Sequence, residues 1–453
     1  MDERRLFPAS IVDEITHCVD KGHPDLVLNY AWILTLEGEV STEITRKALD
    51  RTLRYYPKSR CVLTDRYPSY MRWFRHCWRL TECEGGDILR EIGEPNPYAT
   101  VEEAISYYTD NHAALSIDLS FHIPLTVLLI RQPGRAFLFF IMHHAAADGL
   151  GGFFFIQQFI QYYEDILHGR EAAHEPAANF EDISLPDIRL GWSDLSPRNL
   201  RPFVRNFFLT FRQPALNAFP GESKGITGKV VATVRHMPPQ HLARIRSTAK
   251  QYGSTVNDYL LATMFGTLKK WCREWTTPSD RIYINVPMSF RAPGDRTLSN
   301  VLSGAFISLK PDHITGREAM LPLIRKEMTA LADSNVARTI IRFSAVLKPL
   351  TIGMRINLLR HTASGYAPTV VLSNMGVLSP NPSHTDEEGF HCMGNARIRS
   401  IYGIPAVAGW PMLLLYTYNN RMIFNLGTLD SYFPPETAGR FIDAFLGDLQ
   451  EGL

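Results

Sequence analysis

A seven-residue segment, 143–149, constrains this chain more than any other part of its sequence. It reads His-His-Ala-Ala-Ala-Asp-Gly and directly follows the apolar run 136–142, which predicts a buried strand. Successive side chains of a strand point to opposite faces of a sheet, so His143 and His144 cannot both reach one substrate atom. We therefore expect a single working imidazole rather than a two-histidine metal clamp, and we predict no metal site.

The residues after the histidine pair favour a tight loop that exposes one of the two rings. Three alanines add little bulk, Asp148 can turn back to make a polar contact, and Gly149, Gly151 and Gly152 follow. Glycine permits backbone paths that other residues resist. A buried histidine pair with a loop aspartate is the alternative structural interpretation.

The segment resembles the HHxxxDG motif of the CoA-dependent acyltransferase superfamily, which includes chloramphenicol acetyltransferase, wax ester synthases and nonribosomal condensation domains. Every fixed position of that motif is present, which makes it more specific than HxxxD alone. Further segments resemble the same superfamily in the required order: 48–60, Ile117 to Leu119 with Pro124, Thr255 to Ala262, Val286 to Arg291 with Ser299 and Asn300, and Val371 to Gly376. Together they span most of the chain.

The resemblance implies an α/β fold of two chloramphenicol-acetyltransferase-like lobes, each a mixed sheet covered by helices, with the active site in a tunnel between them. A stretch rich in Pro, Asn, Ser and Gly separates an apparent helix, 152–167, from a strand at 229–234, a composition typical of a linker. We accordingly predict an N-terminal lobe at 1–180, an interlobe linker at 181–225 and a C-terminal lobe at 226–453.

The resemblance also assigns the site residues. His144 is implied as the general base, and an imidazole with a pKa near neutrality suits that role. Asp148 is implied as a structural partner of Arg291, with Gly149 and His143 supporting the loop. Ser373 and Asn374 are candidates for contacts with the oxyanion or the substrate.

Two of these segments also have purely structural interpretations. Thr255 and Asp258 fit a helix capping box. Ser373, Asn374 and Gly376 fit a strand that ends in a turn.

The resulting prediction is an acyltransferase that moves an acyl group from acyl-CoA, or an acyl-carrier thioester, to a hydroxyl or amine by direct attack. No permanently bound cofactor is expected, because acyl-CoA or acyl-phosphopantetheine serves as co-substrate. Two alternatives stay open: a free-standing condensation enzyme acting on substrates bound to an acyl carrier protein, and a catalytically silent relative that binds a ligand or partner. GxxxxGK[ST] and HExxH motifs are absent, which disfavours NTPase and metalloprotease functions. A GxSxG match at Gly221 to Gly225 lies in the linker-like stretch and not between a strand and a helix, so a hydrolase nucleophile elbow is also disfavoured.

Composition is that of a large globular enzyme, with 453 residues, 45% hydrophobic and 21% charged. The net charge of +1 provides no field for nucleic acid. Six cysteines without a CxxC pair favour reduced thiols, and residues 1–8 lack the apolar core of a secretory signal. We expect a cytoplasmic protein without a transmembrane helix.

Two segments combine arginines with apolar residues and contain no acid, 196–221 and 336–361. A basic amphipathic face can lie on an anionic bilayer. The preferred interpretation at this point is that the arginines rim an interdomain surface or a substrate tunnel while the apolar residues pack inside. Peripheral membrane contact is the alternative.

Overall fold

The computed structural model describes residues 6–22, 26–64, 75–92, 100–113, 117–170, 178–183, 196–201, 203–204, 228–271, 281–334, 336–363, 369–407, 410–431 and 433–451. Most of the predicted linker, including residues 205–225, lies outside them, as do Cys272 and residues 1–5. Among the described residues, no helix has the length and apolar character needed to cross a membrane. The cytoplasmic location stays a prediction.

The strands form two six-stranded sheets and one small sheet. The first sheet has the order β12-β13-β2-β7-β6-β5 and the second has the order β10-β9-β11-β14-β15-β8, while β1, β4 and β3 form the small sheet. The strands are β1 Leu6–Pro8, β2 Asn29–Glu37, β3 Cys61–Thr64, β4 Cys77–Leu80, β5 Leu89–Ile92, β6 Leu125–Gln132, β7 Arg135–His143, β8 Val230–Met237, β9 Ile282–Ser289, β10 Leu302–Leu309, β11 Val370–Val377, β12 Cys392–Met393, β13 Ala396–Ile404, β14 Met412–Tyr418 and β15 Arg421–Leu429.

Both large sheets are mixed. In the first sheet β5 runs parallel to β6 and the other described pairs are antiparallel. In the second sheet β11 runs parallel to β9 and to β14. The central strand β7 is buried along almost its whole length, which agrees with the continuous apolar run in its sequence.

Helices cover the sheets. The helices are α1 Ile11–Gly22, α2 Thr42–Tyr55, α3 Gly85–Ile88, α4 Val101–Tyr108, α5 Gly149–Leu167, α6 Pro239–Gln251, α7 Val256–Trp271, α8 Arg317–Asp333, α9 Val336–Ser344, α10 Ile352–Ala363 and α11 Pro435–Gln450. Phe155 and Phe159 of α5 pack on Phe140 of β7. Phe441 and Phe445 of α11 lie four residues apart, and both are buried in the hydrophobic core beside the second sheet. The predicted α/β fold of two mixed sheets under helices is confirmed.

The two sheets do not divide the chain at one point. Strands β12 and β13 come from the C-terminal half, yet they complete the first sheet, where β13 pairs with β2 from Arg397 opposite Glu37 to Ile404 opposite Ala31. The lobe bounds at 1–180, 181–225 and 226–453 stay a prediction. Any such division has to assign residues 392–404 to the first sheet.

Candidate active site

A cavity of about 190 Å³ lies between the two large sheets. Its lining comes from β2 and β13 of the first sheet, from β9, β11 and β14 of the second, and from the start of α5. Much of the wall is apolar, with Trp32, Ile404, Pro405, Met412 and Leu414 among its residues. The cavity is therefore suited to hold a largely apolar group in contact with a few polar ones.

His144 enters this cavity from the end of β7. Its backbone N–H donates to the carbonyl oxygen of Leu28 at 2.9 Å, which extends the β2–β7 pairing by one residue. The ring is half-buried, lines the cavity, and meets the ring of Tyr30 edge-on at 5.6 Å between centroids. The expected working imidazole thus faces the cavity.

His143 points the other way, as the strand alternation requires, and is fully buried. Its Nδ1 accepts a hydrogen bond from the Ala145 N–H at 3.0 Å, and its Nε2 lies 3.7 Å from Oδ2 of Asp20. Because Nδ1 is an acceptor, the ring proton belongs on Nε2, facing that carboxylate. This geometry supports the proposed role of His143 in holding the loop.

The surroundings of His144 favour its neutral form. Burial lowers the pKa of the ring, and this outweighs the opposing effects of its own backbone carbonyl and of the Asp148 carboxylate. A neutral imidazole donates from one ring nitrogen and accepts at the other. The neutral ring is the form that a general base needs.

This lowered pKa predicts the acid limb of the pH–rate profile. The value of kcat/KM should stay near its maximum at pH 7 and should fall in a single-proton step whose midpoint lies below the ordinary histidine value of about 6.5. The measurement is acyl transfer between pH 4.5 and 8, corrected for uncatalysed thioester hydrolysis. A midpoint above pH 7 would contradict the assignment.

Thermal melts at each pH provide the control. Burial also lowers the pKa of His17 to about 4 and that of His76 to about 3. Their unfolded forms bind protons first as the pH falls, so folding stability decreases below about pH 6.5. Only activity losses at pH values where the protein remains folded report on His144.

Asp148 is the N-cap of α5 and is fully buried. Its Oδ1 accepts from the Gly151 N–H at 2.7 Å, while its Oδ2 accepts from Nη1 of Arg291 at 2.8 Å and from the Val301 N–H at 2.9 Å. Each carboxylate oxygen is thus engaged by donors at charge-assisted distances. These contacts point the carboxylate toward Arg291 and support the proposed structural role.

Arg291 ties a second loop, 297–301, to the histidine loop. Its Nη2 donates to the carbonyl oxygens of Thr297 and Ser299, at 3.1 and 2.6 Å. A Cβ on Gly151 would lie only 2.0 Å from the carbonyl oxygen of Leu298, so only glycine allows this close approach. Asn300 then reaches back and donates to the carbonyl oxygen of His144 at 2.8 Å.

Behind loop 297–301 lies a buried polar group that the sequence analysis did not identify as part of the site. Lys58 is fully buried, and its Nζ donates to Oδ2 of Asp13 at 2.9 Å and to Oγ of Ser299 at 2.6 Å. Asp182 accepts from the backbone N–H groups of Leu298 and Ser299. These contacts hold the loop that carries Asn300 and the carbonyl partners of Arg291.

The oxyanion candidates Ser373 and Asn374 both line the cavity, on the opposite wall from the first sheet. Oδ1 of Asn374 accepts from the Gly376 N–H at 3.0 Å, and Gly376 has φ +76°. Strand β11 nevertheless continues to Val377, and its pairing with β14 shifts register between Asn374 and Val377. The interpretation as a strand that ends in a turn is therefore wrong, because the segment is an irregularity within the strand. For Thr255 and Asp258, the reciprocal hydrogen bonds of a capping box are present.

Losing an oxyanion donor typically lowers turnover about 10²- to 10³-fold. We expect this for Ser373→Ala, and for Asn374→Ala if its amide is the donor, measured as kcat for acyl transfer. Because Oδ1 of Asn374 also holds the backbone of the β11 irregularity at Gly376, a thermal melt accompanies each variant. If both variants turn over like the wild type, the backbone amides of Gly149 and Leu150 become the candidates, since both residues line the cavity at the first positions of α5, where helix amides lack intrahelical acceptors.

Two cavity residues on β2 also escaped the sequence analysis. Tyr30 donates from its hydroxyl to the carbonyl oxygen of Asp148 at 3.0 Å, and Trp32 donates from Nε1 to that of Gly149 at 3.1 Å. The sequence offered little indication of this role, because both residues lie in an apolar strand whose aromatic side chains are expected to be part of the hydrophobic core. In the part of the chain that the structure describes, no cluster of three or more His, Cys, Asp or Glu side chains is arranged to hold a metal ion.

No protein-family model matches the sequence. The chain is similar to two Mycobacterium tuberculosis proteins, from strains CDC 1551 and H37Rv, each named "Putative diacyglycerol O-acyltransferase". Both matches are 24% identical over 318 residues and cover 62% of this chain and 59% of the relative. The chain therefore matches less than two thirds of the length of these relatives.

Condensation domains are similar over nearly the whole chain. The first condensation domain of the CDA synthetase covers 98% of this chain and 95% of its own, with a TM-score of 0.69 and 14% identity. A starter condensation domain of rhizomide synthetase, solved with C8-CoA and Leu-SNAC, covers 99% and 94%, with a TM-score of 0.71 and 12% identity. The condensation domain of a Monacolin K polyketide synthase covers 98% and 96%, with a TM-score of 0.66 and 12% identity.

Proposed function

We propose that this chain, which has the fold of condensation domains and related CoA-dependent acyltransferases, transfers an acyl group from a thioester to a hydroxyl or amine. The observation that carries the proposal is His144, a half-buried imidazole with a lowered pKa that faces a mostly apolar cavity between two sheets. The loop that presents it is fixed by Asp148 and Arg291 on one side and by His143 on the other.

The proposed reaction is a direct transfer. The acceptor oxygen or nitrogen attacks the thioester carbonyl carbon while Nε2 of His144 takes its proton. The tetrahedral intermediate carries its negative charge on the former carbonyl oxygen, which the donors of the opposite wall or of the α5 terminus would stabilise. The C–S bond then breaks, and the departing thiolate receives the proton from His144. No acyl-enzyme forms and no bound cofactor is needed.

An acyl-CoA donor is our first choice. The solved structure with C8-CoA favours this donor. The M. tuberculosis relatives, whose name describes O-acyl transfer, favour a hydroxyl acceptor. The second candidate is condensation of carrier-bound substrates, which the likeness to condensation domains favours. The two differ in the donor: an acyl-CoA enzyme accepts free acyl-CoA, whereas a condensation enzyme requires a phosphopantetheinylated acyl carrier protein.

The test incubates the purified protein with a panel of acyl-CoAs and a metabolite extract. We expect free thiol to be released together with new acylated masses, and both signals to be lost with His144→Ala. Turnover with carrier-bound donors alone would favour the condensation enzyme. Ligand binding by wild type without turnover of either donor would favour a catalytically silent relative.

A further inference from the structure

The helices α9 and α10, with the turn that joins them, form an unusual surface. Residues 336–363 contain five arginines and lysines and no acidic residue. Three of their apolar side chains project into solvent: Val346 is 66% exposed, Met354 54% and Leu358 41%. Cationic and exposed apolar side chains thus occur together in one short stretch.

The rotation of α10 is fixed, so the exposure of its apolar residues is a consequence of packing. Arg355 is fully buried, and its Nη1 binds Oε2 of Glu14 on α1 at 2.7 Å. With that side of the helix anchored inward, Met354 and Leu358, four residues apart, share an outer face. The sequence-based preference for burial of these apolar residues does not hold for Met354 and Leu358.

A second acid-free segment joins this surface. The ring of Phe203 stacks on that of Phe343 of α9, with 4.0 Å between centroids and 14° between planes. This contact places Phe203, next to the described residues 196–201 and 204, against α9. Arg198 and Arg201 are exposed there, and Val204 is 37% exposed. The segment therefore adds further cationic and exposed apolar side chains to the surface.

The surface reaches the rim of the cavity. The guanidinium of Arg338, an exposed residue of α9, lies 5.9 Å from the centroid of the Phe290 ring. Phe290 stands between Ser289 and Arg291, which both line the cavity. We call the set Arg201, Val204, Arg338, Val346, Met354 and Leu358 the basic apolar surface.

We propose that the basic apolar surface docks this protein on an anionic lipid bilayer and that the acceptor or acyl chain enters the cavity from that bilayer. Exposed aliphatic side chains can insert at the level of the headgroups, while arginines around them attract anionic lipid. An acidic protein partner would satisfy the arginines, but projecting aliphatic side chains with no acid among them fit a bilayer better. The substrate part of the proposal rests on the proposed function and makes the substrate class lipid-dissolved and apolar.

The test sediments the purified protein with vesicles of phosphatidylcholine alone or mixed with phosphatidylglycerol. We expect binding to the mixed vesicles, at least tenfold weaker binding to phosphatidylcholine alone, and weakening by added salt. Removing one cationic side chain, in Arg338→Gln or Arg201→Gln, should weaken binding roughly fivefold. Met354→Glu with Leu358→Glu should abolish it.

Matched controls lie outside the surface. Phe121 is 79% exposed and Arg244 of α6 is exposed, so Phe121→Glu and Arg244→Gln should bind vesicles like the wild type. The Met354→Glu, Leu358→Glu protein should keep its thermal melt and its activity on short-chain, water-soluble substrates without vesicles. The His144→Ala protein should still sediment, which separates failure of docking from failure of the proposed function.

Three results would overturn docking: no sedimentation with either vesicle type, equal sedimentation with both, or unchanged sedimentation of the Met354→Glu, Leu358→Glu protein. Binding of an acidic phosphopantetheinylated carrier protein that depends on Arg338 and Arg201, without any vesicle binding, would also overturn it and would assign the surface to that partner.

Discussion

Replacing His144 with alanine is expected to lower the rate of acyl transfer about 10²- to 10⁴-fold, the usual contribution of a general base. The protein should remain folded, because the half-buried ring faces a cavity and not a packed core. The measurement is single-turnover acyl transfer from the best acyl-CoA of the donor panel, with product mass and thiol release recorded together.

The neighbouring histidine is the matched control. His143→Ala removes the acceptor of the Ala145 N–H and leaves a buried donor without its partner, a loss of about 1 to 3 kcal/mol of folding stability. Its effect on the chemistry should follow from loosening of the loop and should be smaller than that of His144→Ala. If His143→Ala retains wild-type stability but damages turnover more, the two roles are reversed.

The second large effect is expected at the buried ion pair. Asp148→Asn should destabilise the fold by about 3 to 5 kcal/mol, because it leaves Arg291 without its counter-charge. The hydrogen bonds of Asp148 give a further reason to expect this loss. Both carboxylate oxygens accept from N–H donors, so the amide nitrogen of asparagine must face a donor whichever way it turns. Thermal and denaturant unfolding of the variant measure the loss.

A double-mutant cycle with Arg291→Gln separates a structural pair from two independent effects. The two losses should be less than additive, since either substitution removes the same interaction. The exposed pair of Arg235 and Asp443, 2.7 Å apart with 39% and 55% of the side chains exposed, supplies the control: Asp443→Asn should cost no more than about 1 kcal/mol. An Asp148→Asn protein that melts like the wild type yet cannot turn over would assign the aspartate a direct chemical role.

The parts of the site that could be predicted lie close together in sequence. The apolar run before His143 and the glycines after Asp148 were sufficient to predict strand, loop and helix, because each signal acts within a few residues.

Long-range contacts account for what was missed. Lys58 entered the sequence analysis only as part of the segment 48–60, and nothing nearby in sequence shows that its ammonium would meet Ser299 and Asp13 in the interior. Tyr30 and Trp32 looked like ordinary core residues until β2 was placed beside the cavity. The assignment of β12 and β13 to the first sheet also depends on pairing between segments about 360 residues apart, which local patterns do not encode.

Strand β13 comes late in the chain but pairs with β2 in the first sheet, and this order affects folding during synthesis. Until residues 396–404 leave the ribosome, β2 has β7 on one side and a bare hydrogen-bonding edge on the other, and an unprotected edge can pair with other chains. A wall of the cavity is also missing until then. Assembly of the cavity must therefore wait until residues 396–404 have been made, and such distant pairing makes folding slow and exposes intermediates to aggregation. Production at lower temperature or with chaperones should raise the yield of native protein more than any change at the amino terminus.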